Sequence, residues 1–222
     1  MDRKRLAAEK AVEYLKDGMI VGLGTGSTAY WAIREIGQRV RQGLNIKAIA
    51  TSKPSEAHAR RLGIPIVSFA EIDAIDITID GADEVDGALN VIKGGGGALL
   101  REKIVASASK ELIIIVDADK RVNHLGQFPL PVETVPFGSE LTIQKLRALG
   151  CNPVLRIHEE APLLTENGNY TVDCHFNRID NPKELHRAIN RIIGVVDNGL
   201  FIEMASRVIV GFDDGTVQIL RR

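Results

Sequence analysis

The chain has 222 residues, with 28 lysines and arginines against 29 aspartates and glutamates, 45% hydrophobic and 26% charged residues, and a formal charge of −1. Near-neutrality excludes a global basic field for nucleic acid or an anionic membrane, and no apolar run approaches the roughly 20 residues that span a bilayer, so an acidic small molecule would be held by local groups. Two cysteines, Cys151 and Cys174, and a basic start with no apolar stretch behind it argue for a cytoplasmic protein with reduced thiols.

In chain order, Leu6, Ala7, Ala11 and Leu15 recur at helical spacing over residues 4–16, and Asp17 and Gly18 close that helix. Met19 to Leu23 is a short apolar run that leaves through glycines into a second helical pattern, Ala32, Ile33, Ile36 and Val40. Ile46 to Ala50 reads as a strand, a helix follows to Leu62, and Ile64 to Ser68 and Ile75 to Ile79 read as two more strands. Glu111 to Val116 is continuously apolar after its first residue, as a strand buried on both faces is. Strands alternating with helices predict an α/β fold with a doubly wound, mostly parallel sheet and ligands beyond the carboxyl ends of its strands.

From Phe128 the rhythm changes. Strand Val132 to Phe137, helix Ser139 to Leu149, strand Val154 to Ile157, the turn at Asn167 and Gly168, and strand Tyr170 to Phe176 follow one another. Asn181, Pro182 and Glu184 then open a helix that should run to Gly194, before a last strand at Leu200 to Met204. The order β-α-β-β-α-β is that of a ferredoxin-like α+β domain. Val208 to Leu220, with Asp213, Asp214 and Gly215 at its turn, reads as a hairpin returned to the first domain. The expected division is 1–128 with 206–222, and 129–205 as an insertion.

Four segments can carry chemistry. Gly22 to Thr28, with Gly24 and Gly26, lies between a strand and a helix, where free backbone N–H groups and the hydroxyls of Thr25, Ser27 and Thr28 can cradle a phosphate. As a dinucleotide fingerprint it is flawed, because Ser27 stands where a glycine is needed and Thr51-Ser52-Lys53 stands where an acidic residue would hold a ribose. A purely structural turn is the third reading. Asp80, Gly81, Ala82, Asp83 and Glu84 follow a strand, and their carboxylates suit proton transfer, a divalent metal, or a solvated loop. Lys93, Gly94, Gly95, Gly96 and Gly97 precede a helix bearing Arg101, Glu102 and Lys103; the glycines alone would read as a linker and Glu102 alone as part of a charged helix face. Lys120, after Asp117 and Asp119, can pair with those carboxylates or neutralise a phosphate. All four segments are expected at carboxyl ends of strands, which a doubly wound sheet brings to one edge, so one shared cleft is the economical reading. The histidines His58, His124, His158, His175 and His186 show no paired ligand spacing, so no metal site is expected.

In order and spacing, Gly24 to Thr28, Asp80 to Glu84, Lys93 to Gly96 with Arg101 to Lys103, Ala118 to Lys120, Leu125-Gly126, Phe128 to Glu133, Gly194 to Val196 and Gly199 to Phe201 resemble the type A ribose-5-phosphate isomerases. Departures are Gly97, where an alanine is often found, and Thr51 to Pro54, in place of a more serine-rich stretch. The resemblance implies a Rossmann-like domain with an inserted α+β domain, homo-oligomeric assembly, no cofactor, and a place in the non-oxidative pentose phosphate pathway. It also implies that Thr25, Gly26, Ser27, Thr28, Asp80, Gly81, Ala82, Asp83, Lys93, Gly94, Gly95, Gly96 and Lys120 bind a pentose phosphate, that Glu102 is the catalytic base, and that Asp80, Asp83 and Lys93 assist. Rivals are a deaminase or lactonase of similar fold, and a sugar-phosphate-sensing module, which would need no base.

Overall fold

The computed structural model describes residues 2–222. The chain divides into two compact units, Met1–Ala82 with Arg101–Arg121 and Met204–Arg222, and Asp83–Leu100 with Val122–Glu203. Residues 83–100 and 122–128, grouped by sequence with the first domain, thus cluster with the second unit, and residues 204–205 with the first.

Numbered in chain order, the first unit holds strands β1 (Ile20–Leu23), β2 (Lys47–Ala50), β3 (Ile75–Gly81), β6 (Ser109–Asp117), β14 (Arg207–Gly211) and β15 (Val217–Arg221). They form one sheet in the order β15-β14-β6-β3-β1-β2, parallel except for β15, which pairs antiparallel with β14 as the expected hairpin. Helices α1 (Arg3–Val12), α2 (Ser27–Arg41) and α3 (Lys53–Arg61) belong to the same unit. Small residues let α1 sit close: Ala7, Ala8 and Ala11 are fully buried in a core shared with Val21, Ile36, Ile79, Ile113 and Ile209. Strand order reverses between β1 and β3, the switch point at which a doubly wound sheet opens a crevice.

Ile64 to Ser68 does not form the expected strand. A single bridge joins Ile66 to Ala48, because Pro65 accepts from the Ala48 N–H but has no N–H of its own to extend a ladder.

The second unit holds two further sheets. Strands β7 (Leu130–Thr134), β8 (Asn152–Leu155), β11 (Tyr170–His175) and β12 (Val195–Asn198) pair antiparallel in the order β12-β7-β11-β8, with helices α5 (Ser139–Arg147) and α6 (Pro182–Asn190) in the connections. This is the expected split β-α-β-β-α-β pattern. The Asn181 side chain caps α6 by accepting the Glu184 N–H at 3.3 Å, but the helix ends at Asn190, short of Gly194. Strands β9 (Ile157–His158) and β10 (Ala161–Pro162) make a small hairpin between β8 and β11.

The last strand of that pattern is β12, not Leu200 to Met204. Gly199 turns the chain where a side chain could not fit, since a Cβ there would lie 2.2 Å from the Lys93 carbonyl oxygen. β13 (Leu200–Phe201) then joins β4 (Glu84–Val85) and β5 (Val91–Ile92) in a three-stranded antiparallel sheet. Helix α4 (Leu99–Ser107) carries the chain across the division between the units.

Ile113 is fully buried in the first unit's core, on β6 between β3 and β14. Ile113→Ala should lower unfolding stability by about 2–5 kcal/mol and Ile113→Val by about 0.5–1.5 kcal/mol. A urea titration would read both as a lower midpoint at unchanged slope.

Candidate active site

The residues singled out by motif fall in both units. In the first, the chain leaves β1 at Gly24, whose N–H donates to the Ile79 carbonyl at 3.0 Å. A Cβ at Gly24 would lie 2.1 Å from Asp80 Oδ1 and 2.6 Å from the Asp80 Cα, so only glycine lets the β1 loop lie against the end of β3. Asp80 is 1% exposed, and its Oδ1 accepts the N–H of Thr25 at 3.1 Å and of Gly81 at 2.7 Å. Gly81 in turn sits against the Thr25 carbonyl and the Thr28 side chain. Two of the expected segments therefore meet at the switch point.

A buried cluster of hydroxyls sets the loop's shape. Thr25 Oγ1 lies 2.7 Å from Thr51 Oγ1 and donates to Ser52 Oγ at 2.8 Å. Ser52 Oγ donates to Ser55 Oγ, and Ser55 Oγ donates to the Gly24 carbonyl at 2.7 Å. The stretch after β2 is thus a scaffold for the β1 loop. It leaves no acidic side chain to hold a nucleotide ribose at that position.

Gly26 begins α2 with φ +105° and ψ 180°, a backbone that side-chain-bearing residues rarely adopt, and no side chain caps the helix. The first N–H groups of α2 have no intrahelical acceptor, and together with the helix dipole they favour an anion. Ser27 is exposed there, and Lys4 Nζ donates to Ser27 Oγ at 2.9 Å. Sequence reasoning missed Lys4, which reads as one of several charges on an amphipathic helix.

After β6 the chain turns through Ala118 to Lys120. Asp119 is taken by Arg3, whose Nη2 donates to Asp119 Oδ2 at 2.8 Å and holds that carboxyl below the usual range. Among the described residues Lys120 makes no ion pair, which leaves its ammonium available to a ligand.

Glu102 is not part of a solvated helix face. It is 4% exposed, on the same side of α4 as the buried Leu99, Val105 and Ala106, while Ile104 is 46% exposed. A carboxylate in the first turn of a helix is favoured by the dipole.

In the second unit, Lys93 to Gly96 follow β5 of the three-stranded sheet, and not a strand of the doubly wound sheet as expected. The sequence overlooked that small sheet because its strands are two residues long. Asp83 Oδ2 accepts the Gly95 N–H at 2.8 Å, and Arg156 Nη1 donates to the carbonyls of Gly94 and Gly95 at 3.1 Å each while its guanidinium also pairs with Asp173. The glycines are held by specific bonds and are not a linker. Lys93 is 2% exposed; its N–H donates to the Gly199 carbonyl, and its ammonium stands 5.6 Å from the Phe201 ring centre. Glu84 has a structural task, accepting the N–H groups of Gly126 and Phe128 at 2.6 Å each. The carboxylates of Asp80, Asp83 and Glu84 thus accept from separate backbone donors.

Among the described residues no group of three or more His, Cys, Asp or Glu stands as metal ligands would, and no helix is long and apolar enough to cross a membrane.

Residues 47–215 match the family model for ribose 5-phosphate isomerase A (phosphoriboisomerase A). A ribose-5-phosphate isomerase A of Bacillus mycoides is 52% identical over 216 residues, 97% of this chain and 98% of that protein. The solved ribose 5-phosphate isomerase A of Methanocaldococcus jannaschii superposes with a TM-score of 0.95 at 42% identity, covering 100% of this chain and 99% of that one. A D-ribose-5-phosphate isomerase in complex with phospho-erythronic acid superposes with a TM-score of 0.96 at 39% identity, covering 100% of this chain and 98% of that one.

The Gly24 to Asp80 contact yields a direct test. Gly24→Ala should cost roughly 1–3 kcal/mol, the usual penalty of overpacking, because the new carbon meets backbone as well as carboxylate. It should also weaken inorganic phosphate binding at the α2 turn, read by calorimetry.

Proposed function

The chain belongs to the ribose 5-phosphate isomerase A family, and from that premise we propose that it interconverts D-ribose 5-phosphate and D-ribulose 5-phosphate through an enediolate. The observation that carries this reading is the burial of Glu102, since a carboxylate withdrawn from solvent in the first turn of a helix has the character of a working base and not of a surface charge.

In the forward direction the Glu102 carboxylate removes the proton from C2 of the open-chain aldose, and the electron pair moves to the C1 oxygen. The C2 hydroxyl proton passes to the C1 oxygen, and Glu102 returns its proton to C1, leaving a ketone at C2. No proton is gained or lost overall. The ammonium of Lys93, itself withdrawn from solvent, offsets the charge that develops on the enediolate oxygens, where a low local dielectric makes it count. Asp80 and Asp83 serve the sugar hydroxyls, with Gly81 and Ala82 and the Lys93 to Gly96 turn contributing backbone groups. The phosphate occupies the Thr25, Gly26, Ser27 and Thr28 turn with Lys120, and with Lys4 beside Ser27, so that its binding energy positions C1 and C2.

The phospho-erythronic acid held by one related structure supports the reading, because it joins a phosphate to a carboxylate whose planar, delocalised charge resembles that of an enediolate. No metal or organic cofactor is called for. The same reading includes homo-oligomeric assembly, a cytoplasmic location and the non-oxidative pentose phosphate pathway.

Conversion of ribose 5-phosphate to ribulose 5-phosphate, measured with chelator present, tests the whole assignment. Glu102→Gln should keep the fold and lower kcat by about 10²- to 10⁴-fold. Near-normal turnover in that variant would remove Glu102 from the mechanism. Lys93→Ala should depress kcat as well as raise KM, whereas a change in KM alone would make Lys93 a substrate clamp.

A further inference from the structure

The first unit has a cleft that the pentose phosphate reading leaves largely unused. It lies between α2 and α3, has a volume of about 530 Å³, and is lined by Gly26, Ser27, Tyr30, Trp31, Pro54 and His58 among others. That volume falls in the usual range for small-molecule sites, roughly 300–1,000 Å³. Its walls are mainly apolar. The rings of Tyr30 and His58 stack at 4.5 Å with their planes 17° apart, and Trp31 meets Tyr30 edge-on at 5.7 Å. Tyr30 remains 46% exposed.

A pentose phosphate carries oxygen on every carbon and has nothing to lay against such a wall. The chemistry of the cleft is instead that of an aromatic ring joined to an anion. Burial, and then Arg61 and Arg34, hold the His58 imidazole below its ordinary pKa. Arg34 and Arg5 stand 5.2 and 5.9 Å from the Trp31 ring centre, Arg5 paired with Glu9 at 2.6 Å. At the mouth, Gly26 and Ser27 belong to the uncapped start of α2.

We infer that this cleft binds nucleoside 5′-monophosphates, with the phosphate on the Gly26 and Ser27 turn and the base against Tyr30 and Trp31, in competition with the pentose phosphate. The inference rests on the reading of that turn as the phosphate site and extends it to a second class of phosphomonoester. Stacking of a base on an aromatic side chain is favourable for any base, so affinity rather than base identity is the expected property.

Trp31 is the single tryptophan of the chain, so its fluorescence reports occupancy whether or not the protein turns over a sugar. Titrating adenosine 5′-monophosphate into the full chain should quench that signal saturably, inorganic phosphate should reverse the quenching, and adenosine should bind at least tenfold more weakly. In the isomerase assay the nucleotide should raise KM for ribose 5-phosphate and leave kcat unchanged. Tyr30→Ala should weaken nucleotide binding about tenfold while kcat and KM for the sugar stay within about twofold, and Tyr30→Leu, which keeps the cleft wall filled, should do the same. Absence of saturable quenching below about 10 mM nucleotide, inhibition that lowers kcat, or equal binding of adenosine would overturn the inference. So would a Trp31 signal that changes with protein concentration alone, because a second copy would then fill the cleft. Failure to isomerise ribose 5-phosphate would instead count against the family activity and leave the fluorescence result to decide the cleft.

Discussion

The carboxylate of Asp80 is the joint on which the switch-point edge of the first unit's sheet depends. One of its oxygens accepts N–H groups from Thr25 and Gly81 at once, which ties the loop after β1 to the end of β3 where the strand order reverses. The two backbone segments can approach only because Gly24 has no side chain. A buried carboxylate is costly without such donors, so the loop geometry and the charge stabilise one another.

Around that joint the neighbouring loop repeats the principle with neutral groups. Thr51, Ser52 and Ser55 surround the Thr25 hydroxyl and hold the Gly24 carbonyl, so the turn that opens α2 is fixed from below by short hydrogen bonds. Pre-organisation of this kind leaves the first N–H groups of the helix aimed outward at no further conformational cost when an anion arrives. Lys4 adds a positive charge from α1, an element otherwise occupied with packing the core.

The second unit solves a different problem. Gly94 and Gly95 need freedom to turn, with φ of +107° at Gly94, but freedom would leave their position undefined. Arg156, braced by Asp173, grips both carbonyls, and Asp83 takes the Gly95 N–H. Glu84 pins the residues around Phe128 in the same way. Acidic residues that look alike along the chain therefore brace different stretches of backbone.

Much of this was legible before any coordinates. Alternating apolar runs and helical patterns determined the doubly wound sheet, the order of the later elements determined the split β-α-β-β-α-β unit, and several motifs in register determined the family. These are properties of local periodicity and spacing, which a linear chain carries openly. Tertiary structure alone decided the burial of Glu102 beside two exposed-looking cations, the diversion of Asp119 to Arg3 from 116 residues away, and the arrival of Lys4 at Ser27. It also decided that Lys93 follows a strand of a separate small sheet, whose two-residue strands have no period to read. A charge shows its residue type in the sequence, but its partner and its exposure are set by whichever distant segment the fold brings against it.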